Sequence, residues 1–225
     1  MSKFRRVMCF LLSVVAFACL LPLPGAAQEI ALASEAAVLM DAESGQILYG
    51  KNMDSTMYPA SITKVLTGLL ALKYAKETDK VTMTQAGVSQ VPRTSSHIAL
   101  EPGETFTMKD ALYALALVSA NDAAVAIAET VSGSVEDFAK LMNEEAEKLG
   151  AYNSHFVNPN GMPNQDHYTT ARDMALITAE ALKQEGFLTY FGAKSYEMPA
   201  TNLSAARSLV SKNQFIDGTF DCPGL

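Results

Sequence analysis

PASITK, residues 59–64, runs directly into VLTGLLAL, residues 65–72. The apolar octet reads as a helix. Pro59, tolerated at or before a helix start but not inside one, places that start near Ser61, and the pattern runs to about Tyr74. Three positions separate Ser61 from Lys64, so on a helix they share one face and their side chains come within hydrogen-bonding reach. A lysine set beside Val65, Leu66, Leu69 and Leu70 is poorly solvated, which favours its neutral form and suits it to take the serine's proton. The serine also falls at a helix N-terminus, where backbone N–H groups favour negative charge developing on a bound oxygen. Against this, S-x-x-K arises by chance on the order of once in a chain of this length, and a lysine opening a solvent-facing helix surface explains Lys64 equally well.

Working outward, AAVLMDAESGQILYGKN (residues 36–52) reads as a hairpin, AAVLMD and QILYG joined by a polar turn containing Gly45. Residues 75–106 have no sustained period and read as loop with brief strands near VTMT and SHIAL. Thr107 with Asp110 looks like a capping pair for a helix through Val118, and DAAVAIAETV forms a second helix ending at Gly133. Ser134 with Asp137 opens a third, closed by Gly150, and Thr170 with Asp173 opens a fourth to about Lys183. AKSYEMP is strand-like. Strands, then helices, then strands predict an α/β (α+β) chain whose helices pack on a sheet drawn from both ends.

The first residues, MSKFRRVMCFLLSVVAFACLLPLPGAAQ, set three cations before an apolar run, two prolines and small residues, the layout of a secretory signal peptide over residues 1–27. An uncleaved membrane anchor is the alternative, disfavoured by the short apolar run. Lipidation at Cys19 is disfavoured by Phe17, where small residues are preferred. Cleavage would deepen the formal charge from −7 to −10 and leave residues 28–225 as a single domain. So acidic a chain is poorly suited to nucleic acid or an anionic membrane surface. Only Cys222 would remain, so neither an internal disulfide nor a cysteine-based metal site is open to it. His97, His155 and His167 are scattered without ligand spacing, and no cofactor is expected.

Between two apolar helical segments, Ser119-x-Asn121 places polar groups that packing does not require. A second hydroxyl could relay a proton between Lys64 and a leaving group, and the Asn121 amide could hold a peptide carbonyl. A helix-connecting turn that uses both residues to satisfy backbone groups is the plainer account. Ser211-Lys212-Asn213 fits the same S-x-N pattern, but lacks a setting between apolar helices.

PASITKVLTGLLAL, the Ser119-to-Ala124 run, FAKLMNEEAEKLG and FVNPNGMPNQDHYTTARDMALI together resemble the D-alanyl-D-alanine carboxypeptidases, the low-molecular-mass penicillin-binding proteins of bacteria, from about Glu35 to Leu225. The resemblance implies the serine β-lactamase/DD-peptidase-like fold, a helical region packed on a central antiparallel sheet. It implies Ser61 as acylated nucleophile, Lys64 as general base, and Ser119 and Asn121 as the second active-site element, the latter binding substrate. The implied reaction removes the terminal D-alanine from peptidoglycan stem pentapeptides, with β-lactam antibiotics as acylating inhibitors, outside the cytoplasmic membrane. Asn160-Gly161 and His167 fall in a family-like stretch and are read as parts of a turn.

One departure stands out. The family's third motif, Lys-[Ser or Thr]-Gly, would follow a turn like CPGL, and the sequence ends there at Leu225. That strand would bind the substrate carboxylate and supply an oxyanion-hole N–H, whose loss costs roughly a hundred- to a thousandfold. The expectation is therefore a fold incomplete at its C-terminal end, with residues 28–225 folding poorly and turning over little substrate; membrane association would need segments outside this sequence. A catalytically inactive penicillin- or peptidoglycan-binding remnant is the alternative. A class A β-lactamase is disfavoured, since Ala120 replaces the aspartate of Ser-Asp-Asn and no glutamate stands in a Glu-x-x-x-Asn context.

Overall fold

Thr107 and Asp110 close a capping box, each side chain taking the other's backbone N–H, and so fix where the first long helix of the second half begins. Ser134 and Thr170 cap two further helices through the N–H groups of Asp137 and Asp173. The computed structural model describes residues 31–216, so the leader read over residues 1–27 and Cys222 lie outside the described residues. The chain divides into Met1–Ser34 and Glu35–Leu225, and every described helix and strand belongs to the second unit.

In order, it comprises β1 (Ala37–Met40), β2 (Ile47–Lys51), a 3-10 turn (Ala60–Thr63), α1 (Lys64–Tyr74), β3 (Lys80–Thr82), α2 (Gln85–Ser89), β4 (Thr105–Thr107), α3 (Met108–Val118), α4 (Asn121–Ser132), α5 (Val135–Lys148), α6 (Ala171–Lys183), α7 (Phe187–Phe191), β5 (Ser195–Met198) and β6 (Arg207–Val210). Helix α1 sits at the centre, touching α3, α4, α5, α6 and α7. Its leucines Leu66, Leu69 and Leu70 meet Leu112 and Leu115 of α3, the alanine-rich α4, and Phe138 and Met142 of α5 in one core. Being apolar nearly all round, α1 is buried nearly all round. Gly68 lets α7 approach, because a Cβ there would stand 2.7 Å from the Phe191 ring.

The α+β class and the bounds of α3 to α6 agree with expectation, while α1 begins at Lys64 rather than near Ser61, α7 is unforeseen, and the sheet does not form as one piece. Among the described residues the strands make three separate antiparallel ribbons, β1–β2, β3–β4 and β5–β6, and those from the two ends of the chain are not joined. Ribbon β1–β2 lies against α6 through β1, and β5–β6 lies against α3. The strand expected at residues 96–100 is also replaced. The N–H groups of Ile98 and Leu100 donate to the buried Asp122 carboxylate, which removes them from any ladder. The unforeseen α2 begins at Thr84, whose hydroxyl accepts the Gly87 N–H.

The C-terminal ribbon is tied down by charge. Glu104 is fully buried, and the Arg207 guanidinium of β6 grips both its oxygens at 2.7 and 3.1 Å. The Thr201 hydroxyl and the Glu101 N–H complete the carboxylate's bonds. Burial alone would push the Glu104 carboxyl up; these partners more than offset that and leave it below its ordinary value. Arg207→Met should therefore cost about 3 kcal/mol in urea unfolding by stranding a buried carboxylate, and Glu104→Leu added to it should recover most of that loss. If the single variant lost less than the double, the pair would not be what holds the ribbon.

Candidate active site

Pro59 and Ala60 turn the chain into the core. Ala60 adopts a left-handed backbone (φ 49°), and the 3-10 turn of Ala60–Thr63 presents Ser61 to solvent while Lys64, the first residue of α1, is 3% exposed. Ser61 thus lies one turn before the α-helix rather than within it. The three-residue spacing still brings the side chains together: Lys64 Nζ donates to Ser61 Oγ at 3.1 Å and to the Asn160 carbonyl at 2.8 Å. Among the described residues Lys64 has no carboxylate partner, so burial acts unopposed and lowers its pKa to about 8.

The same stretch, residues 63–67, is fastened to a loop nearly a hundred residues away. The Thr67 hydroxyl donates to the Pro159 carbonyl at 2.6 Å, and Thr63 Oγ1 pairs with His167 Nε2 at 2.8 Å. His167 Nδ1 accepts the Val157 N–H, which assigns the proton to Nε2 and makes the ring a neutral donor to Thr63. The loop holds its own shape: Asn158 Oδ1 takes the N–H groups of Gly161 and Met162, and its amide donates to the Met162 carbonyl. Gly161 is required by contact as well as by its φ of 79°, since a Cβ there would lie 1.7 Å from the Ala60 carbonyl oxygen.

Ser119 and Asn121 arrive from the junction of α3 and α4. Ser119 ends α3 in a left-handed conformation (φ 57°), half-buried, its hydroxyl without a hydrogen bond among the described residues. The structure therefore places no bond between it and Ser61 or Lys64. Asn121 is 5% exposed; its backbone N–H meets the Ser96 carbonyl, its Nδ2 reaches Met162 Sδ at 3.7 Å, and its Oδ1 is buried without a partner. Asn121 thus meets the loop that Lys64 also meets, although no hydrogen bond joins Asn121 to Lys64 among the described residues. Asp122, next in the chain, pins residues 98–100 over this junction. Among the described residues, the side chains of the Ser211-Lys212-Asn213 stretch make only local hydrogen bonds, and none reaches Ser61 or Lys64.

Sequence reasoning placed Asn160 in a turn but missed its bond to Lys64, because a backbone carbonyl leaves no trace in residue type, and it gave Asp122 no role. A cavity of about 420 Å³ opens between Tyr58-Pro59-Ala60 and residues 161–165, with His167 at its floor. Among the described residues no group of three or more His, Cys, Asp or Glu could hold a metal, and no helix is long and apolar enough to cross a membrane.

A serine hydroxyl within hydrogen-bonding distance of a lysine whose pKa burial lowers to about 8 is an arrangement able to support acyl transfer with lysine as base. Residues 24–219 match the family described as D-alanyl-D-alanine carboxypeptidase, and the chain belongs to that family. It is 41% identical to the D-alanyl-D-alanine carboxypeptidase DacF of Bacillus subtilis over 73% of this chain and 43% of that protein. It is 37% identical to DacA of Escherichia coli over 69% of this chain and 40% of that protein. The chain thus spans about two fifths of the length of these relatives. Among solved structures, penicillin binding protein 6B from Escherichia coli matches with a TM-score of 0.76 at 26% identity, covering 87% of this chain and 62% of that one. A D-alanyl-D-alanine carboxypeptidase from Mycobacterium tuberculosis also matches at 0.76, with 27% identity, covering 84% and 72%.

Two measurements probe this geometry. Gly161→Ala should cost at least about 2 kcal/mol by denaturant unfolding, against about 1 for Gly103→Ala, where the φ is similar but the space is open; equal costs would refute the close approach to Ala60. Burial, helped by the charge of His155, holds His167 near a pKa of about 4, below the ordinary 6.5. The unfolded chain therefore binds this proton more tightly, and stability should fall by up to about 3 kcal/mol as pH drops from about 6.5 towards 4. His167→Gln should flatten that slope.

Proposed function

We propose that this chain carries the acylating centre of a serine-type D-Ala-D-Ala carboxypeptidase that removes the terminal D-alanine from peptidoglycan stem pentapeptides outside the cytoplasmic membrane. The observation that carries the proposal is Lys64, buried, lacking a carboxylate, with Nζ 3.1 Å from Ser61 Oγ. Neutral Lys64 accepts the Ser61 proton as Oγ bonds to the penultimate D-alanine's carbonyl carbon. The peptide C–N bond then breaks, and the departing amine of D-alanine takes a proton from Lys64 with the Ser119 hydroxyl as relay. Water hydrolyses the resulting ester and restores Ser61. Asn121, with its unpartnered Oδ1, is the group to hold the peptide amide. The Asn160 carbonyl keeps Lys64 aimed, and the start of α1 just beyond Ser61 favours the developing oxyanion. β-Lactams enter by the same first step, their ring amide opening onto Ser61 and the acyl group remaining there.

The test is acylation of the purified chain by benzylpenicillin, read by mass spectrometry and peptide mapping, together with D-alanine release from a stem pentapeptide. The adduct is expected on Ser61 and absent in Ser61→Ala, and Lys64→Gln should slow its formation about a hundred- to ten-thousandfold. Because the neutral lysine is the reactive form, the rate should climb about tenfold per pH unit below about 8 and level above it. A folded chain that takes no acyl group at Ser61, or does so with a flat pH profile from 6 to 9, would overturn the reading. Acylation without D-alanine release would favour a penicillin-binding remnant.

A further inference from the structure

Asn121 spends its amide on a sulfur. The acceptor, Met162 Sδ at 3.7 Å, is a weak one, and Oδ1 at the other end of the same carboxamide is buried without a partner. The thioether is also within reach of solvent: Met162 is half-buried and lines the cavity of about 420 Å³ beside residues 58–60, whereas Met83, Met108, Met142, Met174 and Met198 are buried. All three cysteines, Cys9, Cys19 and Cys222, fall outside the described residues, so methionine supplies every described sulfur. We propose that Met162 is a reversible oxidation site through which hydrogen peroxide slows the acylation of Ser61, an inference that rests on the acyl-transfer reading.

The step asks nothing of the surrounding residues. A sulfur lone pair attacks one oxygen of hydrogen peroxide, the S–O bond forms as the O–O bond breaks, and the leaving hydroxide collects the remaining hydroxyl proton and departs as water; the thioether loses two electrons and the peroxide gains them. Methionine sulfoxide reductases reverse the change, two thiols becoming a disulfide while the oxygen leaves as water.

What changes is the acceptor in front of Asn121. A thioether sulfur holds an N–H weakly, and a sulfoxide oxygen, being polar, holds it firmly. With the sulfur 3.7 Å from Nδ2, a bent S–O···H–N arrangement spans the gap with a hydrogen bond of ordinary length, about 2.9 Å. The loop already pins the backbone of Met162, whose N–H donates to the Asn158 and Asn160 side chains and whose carbonyl takes the Asn158 amide. Oxidation thus ties the Asn121 carboxamide to a fixed point on the loop and draws it away from a peptide amide at Ser61. Losing that substrate contact slows acylation about tenfold.

The full chain treated with limiting hydrogen peroxide should gain one oxygen at Met162 ahead of the five buried methionines, read by peptide mapping and mass spectrometry. Benzylpenicillin should then acylate Ser61 about tenfold more slowly, and methionine sulfoxide reductases A and B with a dithiol should restore the rate. Met40, Met53 and Met57 are half-buried as well, and Met162→Leu separates them: its rate, whatever its starting value, should be the same before and after peroxide. Met162→Gln, which sets a permanent polar acceptor before Asn121, should be slow without peroxide. An undiminished rate in chain that carries the Met162 sulfoxide, or the same fall in Met162→Leu, overturns the proposal. Asn121→Ala should start slow and lose nothing further to peroxide, and a further tenfold loss there overturns the route through Asn121. The contact is read apart from the reaction by the nitrogen-15 side-chain amide signal of Asn121, assigned by its loss in Asn121→Ala, which should move on oxidation and return on reduction. If it moves while the reduced chain takes no acyl group, the acyl-transfer reading fails and the oxidation contact stands. If the reduced chain is acylated and the signal stays in place on oxidation, the oxidation switch fails and the acyl-transfer reading stands.

Discussion

Three hydrogen bonds made where the 3-10 turn passes into α1 hold the site together: His167 to Thr63, Lys64 to the Asn160 carbonyl, and Thr67 to the Pro159 carbonyl. Thr63, Lys64 and Thr67 are all buried, so each bond left unmade would strand a polar group away from water. This condition forces two segments far apart in sequence to fold as one object. It also orients the lysine, since the Asn160 carbonyl of the loop accepts from the buried Lys64 Nζ.

The rest of the fold gives that contact a rigid backing. The core packs leucines of α1 against α3 and α4, so the first turn of α1 cannot shift without disturbing the centre of the molecule. Asp122 does for the α3–α4 junction what the loop does for α1, drawing residues 98–100 inward through their N–H groups and keeping Asn121 beside Met162. At the far end, Tyr196 stacks on Tyr113 with centroids 3.9 Å apart and donates to Asp110, the residue that caps α3. Ribbon β5–β6 is thereby fixed to the helix that leads into Ser119.

The helices were legible because their signals are local. Caps at Thr107, Ser134 and Thr170, and glycines at 133 and 150, act within a few residues and survive in any tertiary setting. The hairpin at β1–β2 was legible for the same reason. The SHIAL segment was not, because an alternation that suits a strand says nothing about a carboxylate more than twenty residues later that claims its N–H groups. In the site, the Ser61–Lys64 contact was legible as spacing, and it holds although the turn is 3-10 rather than α. The Asn160 carbonyl and the neutral His167 depend on which backbone atoms a loop turns inward, and a string of side chains does not record this. The expected single sheet failed at the longest range of all, as a pairing between opposite ends of the chain.

Ala60 and Ser119, one immediately before Ser61 and one at the junction of α3 and α4, both adopt left-handed backbones that glycine would adopt without strain. Each costs on the order of 1 kcal/mol that a chain selected only for robustness would have shed. Their side chains narrow the torsional freedom of the two hydroxyl-bearing segments, so the strain acts as a conformational latch. Evolutionary drift towards glycine at either position would yield a calmer fold with a less decisive active centre.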